Sequence, residues 1–142
     1  MAFWERNTLV LMAGSVLGGV FYFGVVVWQS VAIGAIAAPA WWVYVGYIVF
    51  QLCVSLFGTW LFNRNGDEDL TDLPKGDERD QVLRVGSEAV QGHVASALVI
   101  GCLLFWFVHQ NVALFFHSIV AAMIISEIVR GFVQYHSYQR AI

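Results

Sequence analysis

From Asn7 to Asn63 the chain contains no Lys, Arg, Asp, Glu or His. A water-soluble domain does not leave so long a stretch uncharged. Over the whole chain, charged residues make up 12% against 59% hydrophobic, with a mean hydropathy of +0.70. This composition excludes an ordinary soluble fold, and it makes the bilayer the natural solvent of a single 142-residue domain. Cysteine is equally scarce. Cys53 and Cys102 fall inside apolar runs, where a thiol acts as a small hydrophobe, and there is neither a Cys-x-x-Cys-His stretch nor a tight Cys/His cluster. Also missing are a nucleophile with a matching base, a glycine loop able to cradle phosphate and a metalloprotease motif. The chain is therefore expected not to be an enzyme, and no cofactor or metal is assigned to it. A cleavable leader is not expected either. Met1–Arg6 is short, and the apolar run behind it is too long for a signal peptide and ends at Trp28 rather than at a small-x-small site.

What is present is length and apolarity. Crossing the hydrocarbon core takes about 20 apolar residues as a helix. Four segments qualify, at about Thr8–Trp28, Trp41–Phe62, Val90–Val108 and Val112–Phe132. In lipid every backbone polar group must be satisfied internally, and the runs lack the period-two alternation of a membrane barrel, so helices are predicted. The expected fold is all-α, an integral membrane four-helix bundle. The connection Gln29–Ala40 reads either as an interfacial turn or as a continuation of the first helix; His109-Gln110-Asn111 makes the last two spans a tight hairpin.

The seven basic residues are Arg6, Arg64, Lys75, Arg79, Arg84, Arg130 and Arg140, all on the side shared by the termini and the central connection. Lys/Arg bias sets orientation, so both termini and the central loop of this multi-pass chain are expected in the cytoplasm. The tryptophans agree, Trp4 and Trp60 marking one interface and Trp28, Trp41, Trp42 and Trp106 the other. Gly14-x-x-x-Gly18, with Ser15-x-x-x-Gly19 beside it, gives the first span a smooth face, for packing within the chain or for a homodimer.

Eight of the ten acidic residues lie between Asp67 and Glu88. The part from Asn63 to Lys75 is rich in Gly, Pro, Asn and Asp and reads as a mobile loop. Beyond Gly76, Asp77 can cap a helix whose first turn holds Glu78 and Asp80, where carboxylates complement the helix dipole. Val82, Val85, Gly86, Ala89 and Val90 recur at helical spacing. One long helix from about Asp77 to Val108 is predicted, its first turns cytoplasmic and the rest the third span. This island is either a solvated loop or a docking surface for a basic partner, whose Arg/Lys surface would otherwise meet phosphate. In the second reading Asp77, Glu78, Asp80 and Glu88 make charge-assisted contacts, Arg79 and Arg84 set register, and Val82 and Val85 anchor.

The opening Phe3-Trp4-Glu5-Arg6 before Leu9-Val10, the central Asp77-Glu78-Arg79-Asp80 and the end Tyr135-His136-Ser137-Tyr138-Gln139-Arg140 together resemble the DUF2178 family, small prokaryotic membrane proteins with four predicted spans. The resemblance implies a setting beside small helix-turn-helix transcription regulators. The expected partners are then a small basic cytoplasmic DNA-binding protein and membrane lipid, with no direct contact to nucleic acid.

Other groups remain. Glu127 is the one acid within a predicted span, about 22 Å along the helix from Val112, and Arg130 at i+3 can pair with it. Gln51, Ser55 and Thr59 form a polar stripe, for bonding to neighbouring helices or for lining a narrow cavity. With Glu127 they suggest a small transporter or channel as the alternative function. His109 and His117 near one surface and His93 and His136 near the other resemble a bis-His haem arrangement, a third reading.

Overall fold

The computed structural model describes residues 3–64 and 78–140, with the side chains of 3–6, 59, 61–64 and 78–80 excepted. These residues form four helices, α1 Phe3–Ile33, α2 Trp41–Arg64, α3 Glu78–His109 and α4 Val112–Arg140, with no strand among them. All four are long and apolar enough to cross a membrane. The helices outrun the predicted spans. α1 continues past Trp28 to Ile33, and α4 continues past Phe132 to Arg140. The first connection is thus partly helix and partly turn. It breaks at Gly34, whose φ of 66° is a left-handed conformation that glycine adopts without steric cost. Gln110, with a φ of 50°, makes the corresponding break between α3 and α4. There Asn111 restarts the chain, its Oδ1 accepting from the Leu114 backbone N–H as a helix N-cap does.

The helices pack as α1 on α2, α1 on α4 and α3 on α4. The bundle is therefore open, with α1 and α4 as the central pair, α2 beside α1 and α3 beside α4. Neighbours run antiparallel, since Gly14 meets Val54 while Gly58 meets Val10, and Gly19 meets Ile124 while Gly131 meets Met12. The start of α1, the end of α2, the start of α3 and the end of α4 share one end of the molecule.

Glycine decides how close α1 comes to its neighbours. A Cβ on Gly14 would lie 2.6 Å from Val54 Cγ1, and one on Gly18 would lie 2.9 Å from the Tyr47 ring. The Gly14/Gly18 face is thus used inside the chain, against α2. At the end of the molecule that holds the short connections, Tyr22, Val43, Val120 and Ile124 are buried together, flanked by Phe23, Tyr44, Tyr47 and Phe116. The Tyr44 and Phe116 rings meet edge to face at 5.6 Å and bring α2 to α4 there.

Overpacking a close helix contact costs about 1–3 kcal/mol. Gly14→Leu is expected to lower the unfolding midpoint in detergent. Gly24→Leu, on the same helix with nothing within 4 Å of its Cβ position, is expected to leave it unchanged or raise it.

Candidate functional site

Two polar groups lie between the helices, and α4 contributes to both. Six of its eight buried residues, His117, Val120, Ile124, Gly131, Gln134 and Tyr138, follow the three-and-four spacing of one helix face, with Ala122 and Ser126 buried off that stripe. Contacts of His117 with Tyr22, Ile124 with Gly19 and Gly131 with Met12 turn that face toward α1. Glu127 occupies the step between Ile124 and Gly131.

The first group sits at the end of the short connections. His117 is 6% exposed and Tyr22 is 1% exposed. The Tyr22 hydroxyl lies 2.9 Å from His117 Nδ1, and His117 Nε2 lies 3.0 Å from the Ala37 carbonyl oxygen. A carbonyl only accepts, so Nε2 carries a hydrogen. Every polar hydrogen then finds an acceptor if the ring is neutral and Tyr22 donates to Nδ1. The Ala37 N–H donates in turn to Ser30 Oγ at 2.9 Å, and Ser30 Oγ donates to the Val26 carbonyl at 2.7 Å. One histidine on α4 therefore holds α1 and the α1–α2 connection together. With both ring nitrogens engaged, His117 as folded has none left for haem iron. Among the described residues no three His, Cys, Asp or Glu side chains are grouped to hold a metal ion.

The second group lies further along α4. Arg130 pairs with Glu127 Oε1, and Gln91 Nε2 of α3 donates to Glu127 Oε2 at 2.7 Å. Both charged side chains are about three-quarters buried, at 21% exposed for Arg130 and 26% for Glu127. Such a pair is held by its geometry and its added hydrogen bonds, because desolvation offsets most of the Coulomb attraction. On α2, Gln51 Nε2 donates to Ser15 Oγ of α1, which donates to the Leu11 carbonyl. Gln51 Oε1, Arg130 Nε and Asn7 Oδ1 are buried atoms without a hydrogen-bond partner among the described residues. Ser55 has an interaction of its own, and the Thr59 side chain lies outside the described residues. Gln51 thus bonds across to α1, while Glu127 bonds across to α3.

The island is divided. Asp77 and the loop before it lie outside the described residues, as do the side chains of Glu78, Arg79 and Asp80, whose backbone begins α3. The rest lies on the first turns of α3. Val82 is 69% exposed and Val85 59% exposed. Arg84 Nε and Glu88 Oε1 pair at 3.6 Å on the surface, an i,i+4 contact of small energy. Around Gly86 there is open space.

Residue spacing along one helix does not reveal partners on another, which is why Tyr22, Ala37 and Gln91 were absent from the predicted set. A lone Tyr in the first span and a lone His in the fourth were the available signals. Searches against family models, curated proteins and solved structures return no match.

A buried hydrogen bond contributes about 1 kcal/mol net, while orphaning one partner costs about 1–3 kcal/mol. Tyr22→Phe and His117→Ala are each expected to destabilise the protein. The double variant should lose less than the sum of the two in a thermal or SDS unfolding titration, and strict additivity would contradict direct coupling.

Proposed function

We propose that this chain is a regulatory membrane protein that binds and sequesters a small basic DNA-binding protein, of helix-turn-helix type, through the start of α3 and the acidic loop before it. In this reading it belongs among DUF2178-like proteins of a prokaryotic cytoplasmic membrane, is not an enzyme, and has both termini in the cytoplasm. Six of the seven Lys and Arg residues lie on described helices, toward the end where α1 and α3 begin and α2 and α4 finish, and Lys75 belongs by sequence to the stretch between α2 and α3, which supports that orientation.

The observation that carries the reading is the exposed face at the start of α3. α3 begins at Glu78, directly after the acidic stretch, and leaves Val82 and Val85 exposed beside the Arg84–Glu88 pair. Apolar anchors rimmed by charge suit a protein partner. Asp77, Glu78, Asp80 and Glu88 would engage the Arg and Lys side chains that the partner uses on phosphate, so that binding here and binding to DNA compete. Replacing Asp77, Glu78 and Asp80 together with Lys is expected to release the DNA-binding protein from pull-downs while membrane insertion persists. Unchanged co-purification at moderate salt would refute the docking surface.

A second reading has its own observation. Glu127 is bonded from two sides within the bundle, and Gln51 Oε1 and Arg130 Nε are buried with free hydrogen-bonding capacity. A small transporter or channel would use such groups for a proton or a polar solute. It predicts flux in proteoliposomes that Glu127→Gln abolishes; flux equal to that of empty liposomes in the unmodified protein would end this reading.

A further inference from the structure

The outward face of α3 within the membrane-capable region differs from the other outward faces. α4 covers α3 along Leu83, Ser87, Val90, Gln91, Val94 and Leu98, which are buried or half-buried. On the opposite side Ala89, Gly92, His93, Ser96, Val99 and Leu103 are exposed, and a Cβ on Gly92 would meet nothing within 4 Å. Elsewhere the outward faces carry large side chains that lipid tails accommodate, such as Leu17, Val20 and Phe21 on α1 or Val49, Leu52 and Leu56 on α2. On α3 this face is small or polar only from Ala89 to Ser96, with the exposed Val82 and Val85 before that stretch and Val99, Ile100 and Leu103 after it. His93 has no hydrogen bond among the described residues, and hydrocarbon would offer it none.

The spacing of Ala89, Gly92, Ser96, Val99 and Leu103 alternates three and four, which is the seam of a heptad. With that seam as the a and d positions, Glu88 is a g residue and His93 is the e residue of the next heptad. In a parallel pair, g of one helix faces the following e of the other. A two-fold copy of this face therefore brings Glu88 to His93 of the second copy, twice, and lays the small residues Ala89, Gly92 and Ser96 where two backbones come close. An imidazole N–H then faces the carboxylate that Arg84 already holds on its own helix, and small residues lie opposite small residues.

We propose that α3 pairs with α3 of a second copy of this chain, as a parallel two-fold dimer along Ala89–Leu103. This is a different face from Gly14/Gly18, which packs on α2. The same three-and-four spacing runs back through Val82 and Val85, so the pairing face adjoins the proposed regulator-binding one on the same side of α3, and the dimer is tested in the regulator's absence.

The test is cross-linking in membranes from cells lacking any co-expressed partner. In a chain carrying Cys53→Ser and Cys102→Ser, addition of Ser96→Cys yields a disulfide-linked dimer on mild oxidation, whereas Leu98→Cys, facing α4, does not. Adding His93→Leu to the Ser96→Cys chain lowers the cross-linked fraction several-fold. Exchanging the pair, Glu88→His with His93→Glu, restores it. The proposal is overturned by no dimer at position 96, by equal cross-linking at 96 and 98, by a fraction that His93→Leu leaves unchanged, or by an exchange that stays as low as His93→Leu.

Discussion

Close approach along α1 is the constraint on which the rest of the bundle depends. Between helices in lipid there is no hydrophobic driving force, because hydrocarbon tails are as apolar as leucine; association comes from contact and from hydrogen bonds. α1 answers with small residues on two faces. Gly14 and Gly18 admit α2, and Gly19 admits Ile124 of α4. Ser15, next to Gly14, is fully buried and receives the amide of Gln51. A helix with larger side chains at these places would hold its neighbours too far apart for that bond to form. The non-sequential pairing of α1 with α4, and with it the open order of the four helices, follows from this.

Polar bonds then fix what close packing leaves free. Sliding or rotating one smooth helix on another changes dispersion energy little, but it breaks a buried hydrogen bond outright. His117 supplies that restraint at one end by holding Tyr22 and Ala37 from opposite sides of its ring. Glu127 supplies it further along by joining α4 to α3 through Gln91. Each helix contact that draws on α4 is thus registered by one ionisable side chain of α4.

The four helices were legible in the sequence because length and apolarity suffice to specify a spanning helix. Their ends were less so. α1 runs on to Ile33 and α4 to Arg140, since nothing in Gln29–Ile33 or Val133–Arg140 stops a helix before Gly34 or the chain's last residues. The faces were legible only in part. Gly14 and Gly18 marked a close-packing side of α1 and Gln51 a bonding side of α2, but neither says which helix lies opposite, so the neighbours of α1 and the openness of the bundle could not be read. Local pairs were readable, as the Glu127–Arg130 pair at i+3 illustrates. Partners on other helices, Gln91 for Glu127 and Tyr22 for His117, depend on registers that only the packed chain defines.

The Gln91–Glu127 bond has a geometric consequence for the surface of the protein. Among the described residues α3 packs chiefly on α4, so its rotation about its own axis is set mainly by that seam. At 3.6 residues per turn, Val82 lies about 180° and Ala89 and His93 about 160° around the helix from Gln91. Holding Gln91 against α4 therefore turns Val82, Ala89 and His93 directly outward, and Ser87, buried on the inner side with its hydroxyl on the Arg84 carbonyl, agrees with that setting. An intramembrane carboxylate invites a transport role, yet here it already has a positioning one. It orients α3 so that Val82, Val85 and the small and polar stretch from Ala89 to Ser96 face away from α4.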